Sequence, residues 1–215
     1  MRDPTPQVFL TDVEILAKCK SPMYHQTSKE KSMSILFINA CVRENSRTLV
    51  LAKHVVKDIS GEIIELNLNL ENMEPLDRES LEKREKLVNT GAFDDPMLRY
   101  ARQFAEAEEI VIAAPFWDLS FPAKLKIYLE QLTVSGITFT YANGRPSGLC
   151  RAKRLTYVTT SGGPIFDDFG YTYVKALAKN FYGIKETKAV RAMNLDVDMI
   201  PAQDLLDKAT ISVIE

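Results

Sequence analysis

The chain has 215 residues, 46% apolar and 26% charged, the make-up of an ordinary soluble globular protein; disorder, collagen and coiled coil are excluded as whole-chain readings. Its 27 Lys and Arg against 29 Asp and Glu leave a formal charge of −2, which argues against a phosphate-neutralising face and sets the expectation of no nucleic-acid partner. At roughly 150 residues per domain, the length falls between one domain and two.

Residues 1–32 are polar and mixed, with Leu10, Val13 and Ala17 on one face of a short helix. They read as an arm outside the main fold. The acids near the N-terminus and the lack of a signal-peptide core imply no secretion, and no run of ~18 apolar residues offers a membrane span. A cytoplasmic protein with no membrane partner is expected. Cys19, Cys41 and Cys150 show no CxxC spacing and the two histidines no cluster, so neither a disulfide framework nor a metal site is expected.

From Met33 the texture changes. Ile35-Leu36-Phe37-Ile38 is a short apolar run, as in a strand covered on both faces. After ACVRENSRT, Leu49, Ala52, Val56 and Ile59 recur at helical spacing up to Gly61. Ile63, Ile64, Leu66 and Leu68 give a second strand, and Leu81 to Val88 a weak helix. Asp95-Pro96 opens a helix carrying Met97, Tyr100, Ala101, Phe104 and Ala107. The third strand is Ile110 to Ala114, and Ser120 and Pro122 open a helix with Leu125, Tyr128, Leu129 and Leu132 on one face.

Ile137, Phe139 and Tyr141 alternate up to Asn143-Gly144, a hairpin signal. Leu155 to Thr160 is the fourth strand, and a helix marked by Val174, Leu177, Ala178 and Phe181 closes at Gly183. Ile184 to Met193 holds the fifth strand, and Ala202, Leu205, Leu206, Ala209 and Val213 mark the last helix. Strands alternating with helices imply βαβ units and one doubly wound parallel sheet over 33–215.

In such a sheet, ligands bind beyond the carboxyl ends of the strands. Three loops there carry unusual residues. After the first strand, Arg43, Asn45, Ser46, Arg47 and Thr48 surround a helix start, whose free N–H groups favour an anion; Asn45 or Ser46 alone would also serve as a plain helix cap. The loop has neither GxGxxG nor GxxxxGK[ST], against a dinucleotide fingerprint and an NTPase. After the third strand, APFWDLSFP puts Phe116 and Trp117 at the mouth of the sheet, where a flat ring, a neighbouring subunit or a helix would cover them. After the fourth, Thr160, Ser161, Gly162 and Gly163 allow close backbone approach, as they would in a plain turn. Together the loops lay out a phosphate site beside a ring site.

The run VIAAPFWDLSFPAKLKIYLEQLTVSGITFTYANGRPSGLCRAKRLTYVTTSGGPI resembles the FMN-dependent NAD(P)H azoreductases and quinone reductases. The likeness is strong over 111–165, fainter from Met33 to Ile59 and toward the C-terminus, and absent over 1–32. It implies a flavodoxin-like three-layer α/β sandwich, with a five-stranded parallel sheet in order 2-1-3-4-5 and a β-hairpin insert. It also implies FMN as cofactor, NAD(P)H as co-substrate and a small-molecule acceptor, a quinone or an azo compound, reduced by a ping-pong mechanism. Arg43, Asn45, Ser46, Arg47 and Thr48 would hold the phosphate, and Phe116, Trp117, Asp118 and Leu119 the isoalloxazine. Thr160, Ser161, Gly162 and Gly163 would border its pyrimidine edge. Asp118 departs from the Asn usual there and brings a carboxylate beside the ring. Phe139, Phe166 and Tyr171 are candidates for the substrate wall, with core packing as their other role. No catalytic acid or base is assigned: His54 lies opposite the apolar face of its helix. The resemblance further implies a homodimer. An electron carrier of flavodoxin type and a free-flavin reductase are the competing readings; the near-neutral charge weighs against the carrier, which is usually far more acidic.

Overall fold

The computed structural model describes residues 33–197 and 201–212; the expected arm, 1–32, lies outside them. Strand β1 (Ser34–Asn39) is followed by α1 (Arg47–Lys57), β2 (Glu62–Asn67) and α2 (Arg78–Thr90). After a single 3-10 turn come α3 (Arg99–Glu106), β3 (Glu109–Ala113) and α4 (Ala123–Leu132). The hairpin β4 (Phe139–Ala142) and β5 (Arg145–Gly148) precedes β6 (Arg154–Thr160) and α5 (Phe169–Leu177). The chain closes with β7 (Glu186–Ala192), α6 (Ala202–Asp207) and β8 (Thr210–Ser212).

The main sheet runs β2-β1-β3-β6-β7-β8. Its first five strands are parallel, in the expected 2-1-3-4-5 order once the hairpin is set aside. The sixth corrects the reading of 202–213. Helix α6 stops at Asp207, and Thr210–Ser212 pairs antiparallel with β7. Ala209 kept a helical spacing, but the Thr-Ile pair that follows it is β-branched and favours a strand; Val213 lies outside the described residues.

Side-chain alternation divides the core in two. Leu36, Ile38, Ile110, Ile112, Leu155 and Tyr157 face Phe104, Tyr128, Leu129, Val174 and Tyr182 of α3, α4, α5 and the π turn that extends α5. Ile35, Phe37, Val111, Val158 and Val190 face Leu51, Ala52 and Val56 of α1 and Leu206 of α6. Because β1, β3 and β6 are buried on both sides, they read as apolar runs and not as alternation. The hairpin turns at Asn143 (φ 53°) and Gly144 (φ 74°), both left-handed, as a type I′ turn requires. Phe139 anchors it on Phe181, ring centroids 5.2 Å apart.

The register sets the carboxyl ends side by side: Asn39 beside Asn67 and Ala113, Ala113 beside Val158, and Val158 beside Val190. The ladder runs on into the loops, through Ala40 N–H to Ala113 O (2.9 Å), Ala114 N–H to Val158 O (3.0 Å), Phe116 N–H to Thr160 O (3.1 Å) and Ser161 N–H to Ala192 O (3.1 Å). These bonds fix the first residues of each loop. Among the described residues, no helix is long and apolar enough to cross a membrane.

Candidate functional site

The three loops meet in one cleft of about 240 Å³. Arg43, Asn45, Ser46, Arg47 and Thr48 line it from the loop after β1 and the start of α1, Phe116 and Trp117 from the loop after β3, and Thr160, Ser161 and Gly162 from the end of β6 and the loop after it. Val42, Pro115 and Asp196 line it too and were not foreseen. Asp118, Leu119 and Gly163 sit outside that lining.

Ser46 caps α1: its hydroxyl accepts from Leu49 N–H (3.3 Å) and its carbonyl from Val50 N–H (3.1 Å). The amides of Arg47 and Thr48 find no acceptor among the described residues, so the start of α1 presents donors and the positive end of its dipole to the cleft. The buried hydroxyls of Thr48 and Thr160 stand 2.6 Å apart and join the first loop to the third. Two guanidiniums, a helix start and these hydroxyls form a donor set suited to an anion with several oxygens, such as a phosphate.

The loop after β3 turns tightly. Trp117 and Ser120 exchange both backbone hydrogen bonds, at 3.1 and 2.7 Å. That leaves Asp118 (φ 50°) and Leu119 (φ 63°) at the two left-handed positions of the turn. Trp117 remains 37% exposed and Leu119 48%, so the rim offers apolar surface. Leucine is strained at such a φ. Leu119→Gly is expected to stabilise the fold by a net ~0.5–1 kcal/mol, the relief being partly offset by glycine's freedom in the unfolded chain. For a chain of this size, thermal denaturation should register that as a rise of about 1–4 °C.

The substrate-wall candidates do not gather here. Tyr171 is fully buried and donates to Thr187 Oγ1 at 3.3 Å; it packs on Tyr157 and is core. Phe139 is buried in the hairpin against Phe181 and lines a different groove with Arg84, Val88 and Val134. Phe166 is 87% exposed on the loop between β6 and α5. His54 is exposed on α1.

Cys41, at the end of β1, lies near the cleft but is buried. Burial is the main force raising its thiol pKa from 9.0 to about 11; the Ser46 hydrogen bond opposes the rise and the Glu65 charge adds to it. Burial likewise lifts Cys150 to about 12. Both thiols therefore stay protonated at neutral pH and make poor nucleophiles. A thiol whose folded pKa is raised contributes stability that is complete below 9.0 and lost as pH rises through about 11. Melting temperature is accordingly expected to fall across that window. Iodoacetamide at pH 8 should leave native Cys41 unlabelled and modify it in urea.

A family model described as flavodoxin-like fold matches residues 33–213. The FMN-dependent NADH:quinone oxidoreductase of Coprothermobacter proteolyticus is 36% identical over 176 residues, spanning 76% of this chain and 87% of that protein. The enzyme of the same name from Clostridium perfringens is 33% identical over 184 residues, covering 81% and 92%. Among solved structures, the azoreductase from Bacillus anthracis str. Sterne superposes with a TM-score of 0.69 over 82% of this chain and 94% of its own, at 22% identity, a likeness of fold.

Proposed function

The chain belongs to the flavodoxin-like family of the FMN-dependent NADH:quinone oxidoreductases, and from that membership we propose that it binds FMN in the cleft and passes electrons from NADH to a quinone or azo acceptor. The convergence of the three loops carries the reading: an anion site at the start of α1 stands beside an aromatic rim and a glycine loop, all at the carboxyl edge of one sheet.

The residues fit the cofactor. Ser46, Thr48, Arg43, Arg47 and the amides at the start of α1 suit its phosphate, and Asn45 extends that wall. A cleft of about 240 Å³ is smaller than the ~300–1,000 Å³ that enclose a drug-sized ligand, so the open rim would have to take the ring. Phe116 and Trp117 would supply its apolar contact. Asp118 and Leu119 in their tight turn, with Thr160, Ser161, Gly162 and Gly163 on the other side, frame its edges. When bound, FMN supplies hydride acceptance and electron donation. The protein's part is to bind and orient it; one face left open to donor and acceptor in turn would give a ping-pong order. No side-chain nucleophile is needed.

Trp117, Leu119 and Phe169 expose apolar surface beside the cleft, Phe169 through its N–H bond to Leu119 O, an area a second copy would cover. The reading therefore includes a homodimer, which light scattering at micromolar concentration should register at twice the chain mass; a monomer would refute it. A cytoplasmic setting is supported by the unpaired Cys41 and Cys150.

The direct test is the purified protein itself. It should be yellow, release FMN on denaturation, and oxidise NADH steadily when a benzoquinone is added. A colourless protein that takes up no added FMN would overturn the reading. A protein that holds FMN but turns over no NADH would be the electron carrier, and one that reduces only free flavin the flavin reductase.

A further inference from the structure

Asp196 enters the cleft from a fourth loop, after β7. Its Oδ1 lies 2.8 Å from Arg47 Nη2, with side-chain exposures of 65% and 37%. Arg47 Nη1 also donates to Leu195 O at 2.9 Å. The loop is strapped to the glycine loop: Asp196 N–H donates to Gly162 O (3.0 Å), Leu195 N–H to Ser161 O (3.1 Å) and Asn194 N–H to Gly163 O (3.3 Å). A Cβ on residue 162 would fall 2.2 Å from Asp196 Oδ2. Glycine there leaves room for the carboxylate, and the backbone bonds of its loop set it beside the guanidinium.

We propose that Asp196 is a built-in counter-ion of the anion site, which engages Arg47 and so weakens the hold on a phosphorylated cofactor, keeping that cofactor exchangeable. This rests on the reading that the phosphate of FMN enters the start of α1. The physical ground is competition. A guanidinium offers five N–H donors in a fixed fork, two of them committed to Leu195 and Asp196. An arriving phosphate dianion must share the fork with a carboxylate of like sign in the same cleft. Riboflavin, the same molecule ending in a neutral hydroxyl, meets no such opposition. Asp196 therefore sets how strongly the site prefers the phosphorylated form.

The test is titration of FMN and riboflavin by fluorescence quenching. Asp196→Asn keeps an oxygen for Arg47 and removes the charge; it should tighten FMN about three- to tenfold, the scale of an exposed ion pair plus the relieved repulsion. Riboflavin affinity should stay within about twofold, and inorganic phosphate should compete with FMN more strongly in the variant. Asp196→Glu should return FMN affinity toward that of the parent. Glu82→Gln, the same change of net charge on the exposed face of α2, should do nothing. The proposal falls if Asp196→Asn weakens FMN or leaves it unchanged, if riboflavin tightens equally, or if Glu82→Gln reproduces the gain. Failure of the parent and the variant alike to bind FMN would instead overturn the function proposed above. Should Asp196→Asn lower the melting temperature, Asp196→Ser provides the same charge removal with the same expected outcome.

Discussion

Gly148→Ala is expected to destabilise the protein by about 3 kcal/mol, the upper end of what adding a single methyl group costs in a packed site. Gly148 ends β5, and a Cβ there would lie 2.1 Å from Gly183 N and 2.2 Å from Tyr182 C. Both are main-chain atoms at the close of the turn that follows α5, so no side chain can rotate away. Either the hairpin lifts off or the turn shifts. Lifting the hairpin withdraws Phe139 from Phe181 and exposes a ring that is now buried. Shifting the turn strains Gly183, which closes it at φ 77°. Thermal unfolding should show a fall of about 6–12 °C, and urea a midpoint lowered by roughly 1–2 M at an unchanged slope. Gly144→Ala is the control: it sits at positive φ (74°) and has nothing within 4 Å of the added atom, so about 1 kcal/mol of backbone strain is its whole effect. Equal losses from the two variants would refute the close-approach argument.

The fold was legible because its chemistry is periodic. β1, β3 and β6 are buried on both faces, and that burial writes itself as Ile-Leu-Phe-Ile, Ile-Val-Ile-Ala and Leu-Thr-Tyr-Val. Once a parallel sheet is granted, the rule that ligands sit beyond the carboxyl ends of strands picks out the loops after β1, β3 and β6, and they do converge. Asp196 escaped because an acid is the wrong residue type to look for beside a phosphate, and its position depends on backbone bonds to Ser161, Gly162 and Gly163 across the fold. The same rule applied to the fifth strand would have found it. Of the two roles open to Tyr171, substrate wall or core packing, the structure gives it the second. The first turn of α5 carries it inward, where Tyr157 and Thr187 enclose it. β8 was hidden because strand pairing is a tertiary choice: the three residues of Thr210–Ser212 gain their partner only when β7 is in place.

Asp168→Ala carries the second large effect, at about 3 kcal/mol. Asp168 Oδ2 lies 2.8 Å from Arg191 Nη2 and 3.2 Å from its Nε, with the side chains 10% and 15% exposed. Its Oδ1 accepts from Tyr171 N–H at 2.7 Å, which caps α5, and the guanidinium lies 5.2 Å from the centre of the Tyr171 ring. Removing the carboxylate takes away a cap and a nearly buried ion pair with Arg191. The first loss alone is worth about 1 kcal/mol; the broken, nearly buried ion pair accounts for the rest. Asp168→Asn preserves the cap and loses the charge, so it should fall between parent and Asp168→Ala. Arg191→Met with Asp168→Asn should be less destabilising than the sum of the two singles, because no charge is then left buried. The pair also bounds the loop that carries Ser161, Gly162 and Gly163, since Arg191 sits opposite Thr159 in the sheet and Asp168 opens α5. Loss of the pair should therefore weaken FMN as well as the fold, and the double variant should recover stability more than affinity. Urea unfolding and FMN titration on the same four proteins read the two effects separately. Additive stability losses would show that Asp168 and Arg191 act independently and that the ion pair is not what holds this loop.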